Sequence, residues 1–162
     1  MAKDFFRQVE GLVIPVPALD RPTLGQIRSR WGHVKQVWNT SPVEEVTLVL
    51  GTFLGPEEKW ISGGEYARRR NSFFGDFLGV QHALWIEEHQ DEFPDLKGLL
   101  GEVYIDFPGT VLADADGVRA FPRFSGRGGR WALRWVWAVC DFGSDGRVAR
   151  KQFGPLRSWV SS

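Results

Sequence analysis

Two side chains of this 162-residue chain combine a proton-transfer group with a setting that would tune it: Asp141 and His82. Alternation along the run 130–142 puts Asp141 on the face that carries Trp135 and Trp137, at one end of the longest β-like segment. A carboxyl group enclosed by indole rings loses hydration, which raises its pKa toward neutrality and suits it to take up and return a proton. The plainer role for Asp141 is to cap the turn Gly143-Ser144-Asp145-Gly146 through side-chain bonds to backbone. His82 titrates near neutrality by nature, although a lone helical histidine also serves as a satisfied structural residue. Tyr66 and Tyr104 add hydroxyl donors, while alternation assigns Asp106 to an outer face and so gives it less weight.

Other chemistries are poorly provided for. Cys140 sits mid-strand among apolar neighbours with no histidine near it in sequence, the setting of a buried, inert thiol. Four residues after His33 comes Val37 and four after His82 comes Ile86, so only His89 with Glu92 shares a helical face, and no metal site is expected. Asp114-Ala115-Asp116-Gly117 opens like a calcium loop, but Ser125 stands where the closing acid is needed, which makes it a hairpin turn. Gly126-Arg127-Gly128-Gly129 is followed neither by Gly-Lys-Ser/Thr nor by a helix, so no nucleotide cofactor is expected. Arg68-Arg69-Arg70 and the arginines at 119, 123, 127, 130 and 134 would suit phosphates, yet three consecutive helical arginines point different ways.

The elements that must position these groups read as follows. Asp20 caps a helix with Pro22 in its first turn, and Leu24, Ile27, Trp31, Val34 and Trp38 share one face until the helix ends near Asn39. A buried strand follows over 46–53. Ser62 opens a second helical region reaching Gln90, with Tyr66, Phe73, Phe77, Val80 and Leu84 on one face; Gly75 and Gly79 leave open a kink or two shorter helices. From Glu102 onward the chain breaks into β-runs at 102–107, 110–114, 118–124, 130–142 and 147–153, punctuated by Pro-Gly and Asp-Gly turns.

Helices first and hairpin-linked strands afterwards predict an α+β fold of one domain spanning 1–162, with N-terminal helices packed on one side of a curved, mostly antiparallel sheet. Trp131, Leu133, Trp135 and Trp137 form the inner face of the long strand, and Arg130 and Arg134 fall outside with Glu102 and Asp106.

Composition narrows the classes. Lys plus Arg equals Asp plus Glu at 20 each, so no global field draws the protein to nucleic acid or an anionic membrane. One cysteine excludes an internal disulfide and fits a reducing, cytoplasmic setting; no apolar run approaches the ~20 residues that span a bilayer. Eight Trp and twelve Phe build either a heavy core or an aromatic pocket.

Three stretches carry a resemblance. Ile61-Ser62-Gly63-Gly64-Glu65-Tyr66 with Phe73-Phe74, then Phe93-Pro94-Asp95-Leu96, then the closing hairpin at Asp145-Gly146-Arg147-Val148 are together similar to the cystatin-like cone of SnoaL-type polyketide cyclases, ketosteroid isomerases and nuclear transport factor two. The resemblance covers roughly residues 22–155 and implies a conical apolar pocket open at one end, usually in a homodimer. It transfers no catalytic pattern, since no Tyr/Asp pair or Arg/Asp dyad stands at matching positions, so it implies a pocket and not a reaction.

The resulting expectation is a pocket protein for an apolar small molecule, extending to a cofactor-independent isomerase, cyclase or dehydratase. Asp141 and His82 are its candidate catalytic residues, and Trp31, Tyr66, Phe77, Trp135 and Trp137 its ligand-binding walls. The alternative is a non-enzymatic module docking a protein or nucleic acid through the outer sheet face or the Arg-rich loop.

Overall fold

The computed structural model describes residues 5–71 and 77–152. It is a mixed α/β fold in which four short helices are interleaved with the strands of a large, open, mostly antiparallel sheet. The chain opens with a strand, β1 (Arg7–Val16), where the sequence reads as a Pro-punctuated lead. Pro15 is tolerated because β1 is an edge strand, and a register shift near Glu10, whose φ is 58°, bulges it.

The predicted first helix is half helix and half strand. Thr23, not Asp20, caps α1 (Leu24–Arg30) in a reciprocal arrangement with Gln26, and the helix stops at Trp31. Val34 and Trp38, expected on the helix face, belong to β2 (Val34–Asn39). Beyond Gly32 the β-branched Val34 and Val37 suit a strand, and the pairing of β2 with a later strand overrides the helical spacing.

β3 (Val46–Thr52) forms as expected. β4 (Trp60–Ile61) precedes α2 (Gly63–Asn71), and α3 (Val80–His89) follows, so the second helical region is two helices. Phe73 and Phe74 lie outside the described residues, as does Phe153. A single 3₁₀ turn leads into α4 (Pro94–Lys97). The remainder is β5 (Tyr104–Asp106), β6 (Thr110–Asp114), β7 (Arg119–Arg127), β8 (Arg130–Trp137), β9 (Phe142–Gly143) and β10 (Gly146–Lys151).

The main sheet runs β1-β3-β10-β5-β7-β6-β2, with β8 on the other side of β7; of the strand pairs among the described residues only β10–β5 is parallel. β5 and β6 pair with successive parts of β7, from Asp106↔Arg123 to Leu112↔Ala120, so the residues between them bulge. The sheet forks there. One branch continues from β5 to β10, β3 and β1, the other from β6 to β2. The chain at Phe77–Gly79 fills the fork: Leu78 N–H donates to the Ala149 carbonyl, and Gly109 N–H to the Leu78 carbonyl. Gly109 must lack a side chain, because a Cβ would fall on the Phe77 and Leu78 carbonyl oxygens.

Alternate residues of the same strands feed different cores. Ile105, Phe124, Trp131 and Ala149 join α3 and α4 residues in one cluster, whereas Phe121, Phe142 and Val148 join Tyr66 of α2 in another. The sheet is therefore covered on both faces, not one. This corrects the assignment of Asp106: it does lie opposite Ile105, but α2 roofs that face and leaves Asp106 fully buried. Its partner is Arg123, while Arg130 pairs with Asp91.

Helix α3 is fastened to the free side of β8. The Gln90 side chain accepts from Trp131 N–H at 2.8 Å and donates to the Trp131 carbonyl at 3.1 Å, and Glu87 accepts from Leu133 N–H at 2.9 Å.

Candidate functional site

The aromatic core against α2 encloses a polar cluster. The Tyr66 hydroxyl donates to Asp106 Oδ2 at 2.5 Å, and the Arg123 guanidinium grips the same carboxylate through Nε at 2.6 Å and Nη2 at 3.1 Å. Arg123 also lies over the Tyr104 ring at 3.8 Å and donates to Cys140 Sγ at 3.4 Å. Burial pushes the Asp106 carboxyl up, against the opposing pull of Arg123 and the Tyr66 hydroxyl. Burial, reinforced by the Asp106 charge, holds the Tyr66 phenol well above its ordinary value; burial also raises Tyr104 to about 12 and pushes the Cys140 thiol up. The cluster thus holds protonated phenols and a neutral thiol, and it bolts α2 to β5 and β7.

Arg70 covers this cluster. Four residues after Tyr66, it shares that face of α2. Its guanidinium lies 4.2 Å from the Tyr66 ring centroid and 4.8 Å from that of Phe121. Nη2 donates to the Ala138 carbonyl at 2.6 Å, while Nη1 is buried without a hydrogen-bond partner. Its neighbours point elsewhere: Arg68 pairs with Glu65, and Arg69 with Glu58 and Glu65.

Above Arg70 opens a cavity of about 680 Å³. Ala67 and Asn71 of α2 form one wall, Phe77, Pro108 and Val111 at the fork a second, and Val118 and Trp137 a third. Trp137 and Val139 are 71% and 70% exposed and stand at the mouth. Arg119, stacked on Trp38 at 4.8 Å, adds a second cation, and no Asp or Glu lines the cavity among the described residues.

Of the side chains singled out from sequence, Phe77 and Trp137 line this cavity. Tyr66 lies beneath it, under Arg70. Trp31 and Trp135 pack edge-to-face on each other, 5.1 Å apart, in a separate cluster with Ile27 and Leu112. Asp141 is exposed, and its Oδ1 accepts from the Gly63 N–H at 2.9 Å, satisfying a free donor at the start of α2 rather than one in the following turn. Gly63 is fixed there because a Cβ would meet the Val139 backbone. The sequence reading gave Arg70 and Asp106 too little weight as site residues. The Tyr66/Arg70 spacing on one helix was the available signal for the first.

His82 is fully buried, with Nδ1 accepting the Gly79 N–H at 3.0 Å at the start of α3. Burial pushes its pKa from 6.5 down to about 4. Because the folded state binds the proton more weakly than the unfolded one, this stability is fully present above pH 6.5 and is lost as pH falls toward 4. Between pH 7 and 5 the loss is about 2 kcal/mol. Gln at position 82 keeps an acceptor for Gly79, so His82→Gln flattens this part of the profile, as measured by urea midpoints at the two pH values.

Among the described residues no group of three or more His, Cys, Asp or Glu is arranged to hold a metal ion, and no helix is long and apolar enough to cross a membrane. Comparison with protein families, curated proteins and solved structures finds no match to this chain, and the chemistry of the site rests on its own atoms.

Proposed function

We propose that this protein binds an apolar small molecule in the cavity between α2, the fork of the sheet and the end of β8. The observation that carries the reading is the cavity of about 680 Å³ with apolar walls and few polar groups. Ligand sites of this construction commonly measure about 300–1,000 Å³. A cofactor-independent isomerase, cyclase or dehydratase is the enzymatic extension of this proposal. The docking alternative has less behind it, because Arg123 and Arg130 of the Arg-rich segment are already taken by Asp106 and Asp91.

A thermal-shift screen over apolar carboxylates, neutral aromatics, terpenoids, nucleotides and oligonucleotides tests the proposal. A ligand at a hundred times its Kd adds about 2.7 kcal/mol, which in a domain of this size raises Tm by roughly 5–10 °C. An apolar hit also perturbs Trp emission, and Trp137→Phe removes most of that response. Stabilisation by oligonucleotides alone would transfer the function to the docking reading.

A further inference from the structure

The polar group at the floor of the cavity says which apolar ligands fit. Two guanidinium groups, Arg70 and Arg123, flank one carboxylate, Asp106, and Arg123 already holds that carboxylate with two hydrogen bonds. Tyr66 is a neutral donor to Asp106, and burial keeps the Cys140 thiol protonated. The cluster beneath the cavity is therefore left with one uncompensated positive charge, carried by Arg70. That charge has no ion-pair partner among the described residues, and Nη1 makes no hydrogen bond. A buried cation without an ion-pair partner is costly, and an anion in the cavity that Arg70 lines offsets its charge. Arg119 lies on the same cavity, so two cations and no carboxylate line it among the described residues.

We propose that the ligand is an apolar carboxylate, its hydrocarbon body against Phe77, Val111 and Trp137 and its head group on the Arg70 guanidinium. The inference rests on the pocket reading and adds the head-group chemistry to it. Arg70 suits the task because its plane is held by Tyr66 and Phe121 and by the bond to the Ala138 carbonyl, so little side-chain freedom remains to be lost on binding.

Three probes with one skeleton test this on the full chain by calorimetry and thermal shift: naphthalene-1-acetate, the corresponding neutral alcohol and the corresponding ammonium. The expected order is carboxylate tightest, alcohol about ten- to a hundredfold weaker, and ammonium unbound. Arg70→Met brings carboxylate and alcohol to equal affinity, with its urea midpoint checked to confirm folding. Equal binding of carboxylate and alcohol by the unaltered protein overturns the head-group assignment while leaving the pocket. A carboxylate preference that survives in a folded Arg70→Met overturns it as well. Failure of all three probes removes the pocket reading and this inference together.

Discussion

Asp106→Ala lowers the stability of the fold by about 3–5 kcal/mol, measured by urea unfolding, and Tm by roughly 10 °C. The loss comes less from the bonds removed than from what they leave behind. Arg123, with 12% of its side chain exposed, keeps its charge and loses the carboxylate that solvated it, and the buried Tyr66 hydroxyl loses its acceptor. Asp106→Asn restores an acceptor for Tyr66 but not the charge, so it falls between the two. The double substitution Asp106→Leu with Arg123→Met recovers much of the loss, because breaking a buried pair costs far more than replacing both members. A double variant as unstable as the two single losses added together would mean that the residues do not act as a pair.

Trp131→Ala has the other large effect, again about 3–5 kcal/mol. Trp131 is 2% exposed, stacks on Phe124 at 6.0 Å and donates from Nε1 to the Leu96 carbonyl at 3.1 Å. Its removal empties the centre of the core against α3 and strands a buried carbonyl. Trp137→Ala, on the same alternation of the same strand but 71% exposed, changes stability by no more than about 0.5 kcal/mol. Urea midpoints of the two variants compared side by side check the contrast, and a similar loss for both would contradict it.

That contrast shows how far a sequence can be read. Alternation sorted the residues of β8 and β5 onto the correct opposite faces, because a strand's period of two is local geometry. Which face is covered, and how far the cover extends, is decided by elements distant in sequence. Asp106 counted as an outer residue because nothing in 102–107 announces that Tyr66 and Arg70 of α2 lie over it. Residues 34–39 were placed on a helix by their spacing, and pairing with β6 made them a strand instead. β1 was hidden by prolines that only an edge position tolerates. The resemblance to a cone-shaped fold rested on three short phrases, one of them partly outside the described residues. Most of the turn-separated runs from Glu102 onward were legible because Gly and Pro punctuate them directly in the chain; the run 130–142, with no such signal inside it, breaks after Trp137 into β8 and β9.

The fastening of Gln90 to Trp131 has a meaning beyond holding α3 in place. A β-strand at the margin of a sheet offers a ladder of free amides and carbonyls on which any extended chain can add itself, the first step toward aggregation. On β8 the first part of that ladder is occupied: one side-chain amide answers both backbone groups of Trp131, and the Glu87 carboxylate takes the next outward-facing N–H at Leu133. A glutamine here imitates the missing neighbouring strand. At that end β8, which carries three of the chain's eight tryptophans, is closed against self-addition from within its own fold.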